Sequence, residues 1–301
     1  MQRHTETPDR QMKRFGAAEL FGLAVAALQP AEVQRLSMTP NRDQVCPFKP
    51  KRVAFHKKGG VCSLGLYRLD AAGEVQVVGS PVTTCPSRFF EGGRVFSWVG
   101  ETLLGTTEPK VVAEISFLRS QSGEQRDDQD EVGRIDNVLV KLEGTQLNWC
   151  ALEMQAVYFS GAKSEHDFAI MRQWHGPGIP MPPRQRRPDF RSSGPKRLMP
   201  QLQTKVPTLR RWGKKMAVVV DRAFWEALGE MRRSNDLSNA DIIWFIVDFE
   251  GPIHGRYILK RHDTVFTTLE NAVEGLTGGT PVSLEQFEQA IRHKLARLEA
   301  K

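Results

Sequence analysis

Apolar residues are most concentrated near the middle of the chain, where they predict two β-strands joined by a tight turn. Residues 132–142 are rich in Val, Ile and Leu, and residues 147–159 resume the apolar run. The intervening residues 143–145 are Glu, Gly and Thr, which supply turn chemistry. The pattern therefore predicts a β-hairpin at the centre of the fold.

Similar patterns predict the elements on either side of this hairpin. Residues 17–28 are apolar enough for a buried helix, and the Thr-Thr-Glu-Pro sequence at 106–109 is typical of a helix start, with the helix continuing to about residue 118. The segment 121–130 is polar and predicts a loop. Later patterns predict strands at 215–221 and 241–249 and helices at 164–175, 222–233 and 283–300.

Polar residues interrupt one face of the second hairpin strand. Because side chains alternate along an extended chain, Glu153 and Gln155 point to the same face, whereas Cys150 points to the other. Asp136 lies in the middle of the preceding strand, where a hairpin can bring it alongside. A carboxylate buried in an apolar strand is costly unless a cation, usually a metal ion, compensates for its charge.

Two carboxylates and an amide oxygen are ligands that suit a divalent cation such as Mg²⁺. The hairpin therefore predicts a catalytic metal site in which Asp136 and Glu153 bind Mg²⁺ and Gln155 contributes its carbonyl oxygen. The alternative is a pair of surface acids on half-exposed strands. The position of these acids inside hydrophobic strands favours the metal site.

Positive charge is concentrated in one segment of the 301-residue chain, whose net charge is +7. The segment 184–215 contains eleven basic residues against one acid, so the rest of the chain is net negative. This asymmetry indicates a surface that binds a polyanion. The basic residues are Arg184, Arg186, Arg187, Arg191, Lys196, Arg197, Lys205, Arg210, Arg211, Lys214 and Lys215.

The proline-rich sequence from residue 175 predicts that this basic segment is extended or turned, with its arginines spread along a groove. Arginines of such a groove contact guanine bases, and other basic residues neutralise phosphates. The alternative is that the segment binds phosphates alone.

The composition is that of a globular protein, and the apolar segment 17–28 is too short to span a membrane, so we expect a cytoplasmic protein without membrane contact.

The four cysteines, Cys46, Cys62, Cys85 and Cys150, form no close pair in the sequence. Free buried thiols and two disulfides are alternatives to a metal site, and a reducing cytoplasm disfavours the disulfides. The first three lie in turn-like contexts with basic neighbours that favour the ionised thiolate. A four-thiolate structural site would accept zinc or iron and would join the amino-terminal region to the back of the hairpin.

Asp136 followed by Glu153, Met154 and Gln155 is similar to the catalytic signature of the PD-(D/E)XK nuclease superfamily. The stretches GRIDNVL, NWCALEMQAVYFSG and RRPDFRSSGPKRLMPQLQTKVPTLRRWGKK resemble the NotI restriction endonuclease family, and the resemblance extends from about residue 46 to about residue 221. Gln155 stands where the superfamily more often has Lys. Because an amide carries no positive charge, the role usually given to that Lys does not carry over.

The resemblance implies an α/β fold with a restriction-endonuclease-like core, a central mixed sheet flanked by helices in the order helix, three strands, helix, strand. The chain is expected to divide into an amino-terminal region, 1–105, with the four-cysteine metal site, whose fourth ligand comes from the core, and a catalytic core, 106–301, with a basic DNA-binding insertion at about 176–215. Members of the superfamily often place a further acid before the hairpin, for which Glu114 and Glu131 are candidates. A solvated surface explains either acid equally well.

The resemblance also implies an activity and its partners. It implies a type II restriction endonuclease that cleaves both strands of DNA with Mg²⁺ at a long GC-rich palindrome, with iron as the metal of the cysteine site. A palindromic site is best matched by a two-fold symmetric protein, so a homodimer is expected, and a cognate DNA methyltransferase is expected in the same cell. Two other functions stay open at this point. One is an iron-sulfur repair or recombination nuclease, and the other is a non-catalytic DNA-binding protein with a four-cysteine metal site.

Overall fold

The computed structural model describes residues 13–55, 58–119, 131–160, 165–183, 187–278 and 282–299. Its strands are β1 (Lys13–Leu20), β2 (Leu23–Ala24), β3 (Val61–Leu69), β4 (Val75–Thr83), β5 (Lys110–Arg119), β6 (Glu131–Glu143), β7 (Gln146–Met154), β8 (Tyr158–Ser160), β9 (Arg187–Asp189), β10 (Met216–Asp221), β11 (Ile242–Ile253) and β12 (Arg256–Thr267). Its α-helices are α1 (Pro30–Met38), α2 (Arg94–Leu104), α3 (Glu165–Gln173), α4 (Phe190–Ser193), α5 (Met199–Arg211), α6 (Arg222–Glu226), α7 (Leu269–Thr277) and α8 (Leu284–Glu299).

A six-stranded mixed sheet in the order β12-β11-β10-β7-β6-β5 forms the centre of the molecule. Strand β10 runs parallel to both β7 and β11, and the remaining pairs are antiparallel. Every residue of β10 is buried, which explains why its sequence is a continuous apolar run rather than an alternating one. The predictions of strands at 215–221 and 241–249 are confirmed.

Helices cover both faces of this sheet, as expected for the predicted α/β fold. Helix α5 packs Leu202 and Val206 against one face, where Trp244 is also buried. Helix α2 packs Trp98 against the other face, where its ring meets Phe245 edge to face at 5.0 Å. Along the chain α2, β5, β6, β7, α5 and β10 occur in the predicted order of helix, three strands, helix, strand, with β8, α3, β9 and α4 between β7 and α5.

A second sheet, in the order β2-β1-β3-β4, lies in the amino-terminal part of the chain and contributes to a core of its own. Buried polar contacts join it to the central sheet. The Thr83 backbone N–H donates to Asp221 at the end of β10, and the Val157 N–H donates to the Thr83 carbonyl. The buried Arg88 guanidinium donates to both Glu19 and the carbonyl of Tyr257. These contacts hold the amino-terminal sheet beside the hairpin.

The central hairpin is confirmed, with β6 and β7 joined by a turn at Gly144, whose φ is 62°. Two predicted helices are wrong. Residues 17–28 form β1, a turn and β2 because Phe21 and Gly22 both have positive φ and reverse the chain. Residues 110–118 lie in strand β5, at the edge of the sheet.

Two further predictions need correction in length or type. The helix predicted at 222–233 is only α6, and the Gly229 N–H beyond it donates to Gly275 instead of continuing a helix. The basic segment is not extended: α4, a π-helical turn over Gly194–Leu198 and α5 make 190–211 helical. The predictions of α3 and α8 are confirmed.

Candidate active site

Asp136 and Glu153 come together because their strands pair antiparallel. Asn137 of β6 lies opposite Leu152 of β7, which places Asp136 and Glu153 one step further along the same pair of strands. The two carboxyl groups lie close enough to interact electrostatically. Both line the same cavity, which also takes in Gln155 and has a volume of about 670 Å³. The strand alternation thus brings together the three side chains that the sequence singled out.

Glu153 is a deeply buried acid, with 3% of the residue exposed. Burial raises the pKa of Glu153 above its usual value, the Lys205 ammonium opposes this shift, and the Asp136 carboxyl adds to it. Two adjacent carboxyl groups repel each other when both are ionised, and a cation between them removes that repulsion. The Asp136 and Glu153 carboxyl groups are therefore suited to bind a cation that prefers oxygen ligands.

Lys205 of helix α5 provides a cation to this pair within the protein. Its ammonium donates to Glu153 Oε2 at 2.6 Å and to Gln201 Oε1 at 2.8 Å, and only 5% of the residue is exposed. The sequence prediction placed Lys205 on a surface groove and missed this contact. The helical spacing of the sequence indicates that Lys205 is buried, because it shares the inward face of α5 with Leu202 and Leu209.

Hydrogen bonds hold both the side chain and the backbone of Gln155, which directly follows β7. Its Nε2 donates to the Ala156 carbonyl at 2.6 Å, and its backbone N–H donates to Val219 of β10 at 2.9 Å. Because the amide nitrogen is committed to a carbonyl, Oε1 is the group that remains as an acceptor. Asp136, Glu153 and this oxygen are three hard donors in one cavity, a set that fits Mg²⁺.

Other residues line the cavity beside these three. Lys49 and Arg197 add positive charge, and the Arg197 guanidinium stacks on the ring of Tyr158 at 3.3 Å from its centre. Thr84, Pro86 and Ser87 from the amino-terminal region complete the wall. The cavity therefore lies between the central sheet and the amino-terminal region, and its walls carry both carboxyl groups and cationic side chains.

A family model described as Restriction endonuclease NotI matches residues 32–259, which is most of the chain. The chain belongs to the NotI restriction endonuclease family. As a member it is a type II restriction endonuclease, a site-specific deoxyribonuclease. The resemblance inferred from the sequence is confirmed, and the alternative of a non-catalytic DNA-binding protein is wrong. The search of curated proteins returns no match.

In this NotI-family enzyme, some side chains of the basic segment 184–215 contact other residues of the protein and others are exposed. Arg210 donates to Asp241 at 2.9 Å, Lys215 donates to the carbonyls of Ser238 and Ala240, and Lys205 is bound by Glu153. The Lys214 ammonium lies 5.5 Å from the centre of the Trp149 ring. Arg184 and Arg186 lie outside the described residues. The exposed members of the segment are Arg187, Arg191, Lys196, Arg197, Arg210 and Arg211.

The two further acids lie at different places in the NotI-family fold. Glu114 is on the edge strand β5 with a φ of 56°, and its exposed carboxylate lies 3.8 Å from Arg134. It is absent from the residues that line the cavity. Glu131 begins β6. The predicted helix carrying Glu114 is wrong because Thr106 Oγ1 accepts from the Glu108 N–H in a local turn and β-branched residues follow.

The four cysteines do not form the predicted metal site. Cys46 and Cys62 are buried in the amino-terminal core, whereas Cys150 is buried between the central sheet and α2. Burial raises the pKa of the Cys62 thiol, and the nearby Glu19 adds to it; burial raises the pKa of Cys150 to about 12. Within the described ranges, no group of three or more His, Cys, Asp or Glu side chains is placed to hold a metal ion.

No helix in the described part of the chain combines the length and the apolar character needed to cross a membrane.

Proposed function

We propose that this enzyme cleaves both strands of double-stranded DNA at a specific sequence with Mg²⁺, and that Asp136, Glu153 and Gln155 form its cleavage site. One observation carries the proposal: the two carboxyl groups meet in a cavity that Gln155 also lines, with Lys205 bound to Glu153. Family membership supports the reaction, and the geometry supports the residues.

In this proposal Asp136 and Glu153 bind the metal through their carboxylates, and the Gln155 amide oxygen is the third donor. The bound metal lowers the pKa of water and offsets charge on the phosphate. The protein residues hold these groups in a fixed geometry: Glu153 is oriented by Lys205, and Gln155 is oriented by the Ala156 carbonyl. Glu131 stays a candidate for a further acid of the site, whereas Glu114 lies outside the cavity.

The DNA backbone is proposed to follow the exposed basic side chains beside the cavity. Arg197 lines the cavity, and Arg191 and Lys196 lie on the same helical segment. Exposed cations of this kind neutralise phosphates, and arginines also read guanine in the major groove. A long GC-rich palindrome suits such an arginine-rich surface. The host then needs a DNA methyltransferase that protects the same sequence.

A palindromic site is matched by a two-fold symmetric protein, so we propose a homodimer. Helix α8 supports this, because its large apolar side chains form one stripe and are 43–73% exposed. Two acids lie in its first half and three bases in its second, ahead of the terminal Glu299, so two copies in antiparallel contact place these opposite charges together. The stripe consists of Leu284, Phe287, Ile291, Leu295 and Leu298, and the charges are Glu285, Glu288, Arg292, Lys294 and Arg297.

Digestion of GC-rich phage DNA with Mg²⁺ tests the proposed function. We expect discrete fragments that share one end sequence, and sequencing the ends identifies the recognition site. Glu153→Gln keeps DNA binding but loses cleavage by about 10²–10³-fold or more, because the metal loses a charged ligand. Glu74→Gln, a change at an exposed acid far along the amino-terminal sheet, is the matched control. Smearing from the ends, or cutting by Glu153→Gln, contradicts the proposal.

A further inference from the structure

One cation of the basic segment, Arg197, lies at the proposed cleavage site. It is exposed and lines the same cavity as Asp136 and Glu153, whereas the exposed Arg191 and Lys196 of the same helical segment do not line that cavity. We propose that Arg197 is a catalytic residue that donates to the phosphate being cleaved, and that the aromatic ring on which it stacks positions its guanidinium. This inference rests on the proposed function.

The helical part of the basic segment brings Arg197 to the cavity. Arg197, Gln201 and Lys205 are spaced by four residues, so they lie along one face of the π-helical turn Gly194–Leu198 and of α5, which continues it. Lys205 is bound to Glu153 at the buried end of this face, and Gln201 and Arg197 line the cavity. The face therefore leads from the buried carboxylate to an exposed guanidinium.

The ring of Tyr158 fixes one face of this guanidinium. The central carbon of the Arg197 guanidinium lies 3.3 Å from the centre of the ring, and Tyr158 also lines the cavity. The Tyr158 N–H donates to Ser193 Oγ at 2.8 Å, and that hydroxyl donates to the Asp189 carbonyl at 2.8 Å. These bonds anchor the ring to the helical segment that carries Arg197.

Stacking leaves the edge of the guanidinium available for hydrogen bonds. A guanidinium has five N–H donors in its plane, and contact with the face of a ring uses none of them. Among the described residues, no acceptor takes a hydrogen bond from Arg197; the Asp189 carboxylate interacts with it electrostatically but accepts from the Ser192 N–H. A phosphate in the cavity fits these donors, because the planar fork of arginine matches two phosphate oxygens.

The reaction gives this contact a defined task. The oxygen of water forms a bond to phosphorus, the bond from phosphorus to the leaving ester oxygen breaks, the water loses a proton to solvent and the leaving oxygen gains one. Negative charge is redistributed over the phosphate oxygens during this exchange. A positioned guanidinium that follows this charge stabilises the transition state more than the bound substrate, and it therefore raises the rate more than the affinity.

The alternative is that Arg197 only binds the DNA backbone, as is proposed for Arg191 and Lys196. Such a contact stabilises the bound substrate and the transition state equally, so its loss lowers the affinity but not the rate of cleavage of bound DNA. The two roles are separated by three measurements on each variant. These are thermal unfolding, affinity in Ca²⁺ for a duplex carrying the mapped site, and single-turnover cleavage of that duplex in Mg²⁺ with enzyme in excess.

The variants are chosen at exposed side chains, so each is expected to fold. Arg197→Met removes the charge and keeps an unbranched stem, whereas Arg197→Lys keeps the charge without the planar fork. Tyr158→Phe keeps the ring, and Tyr158→Leu removes it. Arg256→Met is the matched control, because this exposed arginine lies on β12, three strands away from β7, and does not line the cavity.

We expect Arg197→Met to lose less than about tenfold in affinity, the effect of one phosphate contact, and about 10²–10³-fold in cleavage rate. Arg197→Lys recovers part of that rate. Tyr158→Leu cleaves about tenfold more slowly, whereas Tyr158→Phe and Arg256→Met cleave normally. The double variant of Tyr158→Leu with Arg197→Met cleaves as slowly as Arg197→Met alone, because the ring acts through the guanidinium.

Cleavage of bound duplex by Arg197→Met at the control rate overturns the inference, whether or not binding is weaker. Unfolding of both Arg197 variants at a clearly lower temperature also overturns it, because it assigns the residue a structural role. A normal rate in Tyr158→Leu removes the positioning role of the ring. These results leave the proposed function intact if Glu153→Gln loses cleavage. If the unchanged protein binds the duplex without cutting, the proposed function fails and the inference fails with it.

Discussion

At the scale of single residues, the site is defined by where charge is buried. Glu153 and Lys205 are both almost completely buried, whereas Asp136 is exposed and lines the cavity. The 2.6 Å contact pairs one ammonium with one of the two carboxyl groups. A divalent cation bound by both carboxylates would leave the site with one net positive charge, which a bound phosphate would balance.

The thiols provide a residue-scale prediction that is independent of DNA. Burial raises the pKa of Cys62 and of Cys150, so neither forms a reactive thiolate in the folded protein. Cys85 is only partly buried and lines the cavity. We expect iodoacetamide to modify Cys85 first at mildly alkaline pH, and Cys62 and Cys150 only after unfolding, as measured by peptide mass spectrometry.

The predicted four-cysteine site gives the opposite result in the same experiment. Thiolates bound to one metal ion are protected together and become reactive together when a chelator removes the metal. Joint protection of Cys46, Cys62, Cys85 and Cys150, released by chelation of the native protein, contradicts the separate placement of these thiols. Elemental analysis of the same sample then identifies the metal.

At the scale of elements, sequence reasoning succeeds where side-chain alternation decides the structure. The period of two along β7 places Ala151 in the core of one sheet face and Cys150 and Leu152 in the core of the other, as the alternation predicts, and Glu153 follows Ala151 on its face. The helix predicted at residues 17–28 is wrong because these apolar residues include part of a strand that is buried in the amino-terminal core. A buried strand shows no alternation of apolar and polar residues, so a helix fits the pattern equally well. The backbone reversal at Gly22 is the deciding feature, and only the three-dimensional structure displays it.

Helix α5 illustrates a different limit on sequence reasoning. Its prolines and basic residues suggest an extended DNA-binding segment, yet Pro200 lies in the first turn of α5 and Pro207 lies inside the helix. The apolar positions Leu202, Val206 and Leu209 have helical spacing, and they decide the structure through burial. The contact between Lys205 and Glu153 follows from that helix and is not readable from charge density.

At the scale of the whole molecule, the exposed stripe of α8 predicts how two copies meet. We expect light scattering to give twice the mass of the chain, and Phe287→Glu with Ile291→Glu to give a monomer, because charges replace exposed apolar contacts. The fold tolerates these changes because both side chains are exposed. Gln289→Glu, on the opposite face of α8, is the control and leaves the dimer intact.

Charge reversal separates pairing of two α8 helices from docking of α8 elsewhere. Glu285→Lys with Glu288→Lys, and Arg292→Glu with Arg297→Glu, each place like charges together in an antiparallel pair. We expect each variant alone to dissociate and an equimolar mixture to form a heterodimer. A mixture that stays monomeric, or a dimer that survives Phe287→Glu with Ile291→Glu, contradicts the proposed interface.

The central claim is that Asp136, Glu153 and Gln155 surround one divalent cation, and crystals soaked in Mn²⁺ test it most directly. Mn²⁺ prefers the same oxygen donors as Mg²⁺, and its anomalous scattering locates it without assumptions about the protein. We predict one peak within bonding distance of both the Asp136 and Glu153 carboxylates, on the side of the Gln155 amide oxygen. A peak that contacts neither carboxylate, or only the cysteine thiols, would contradict the account.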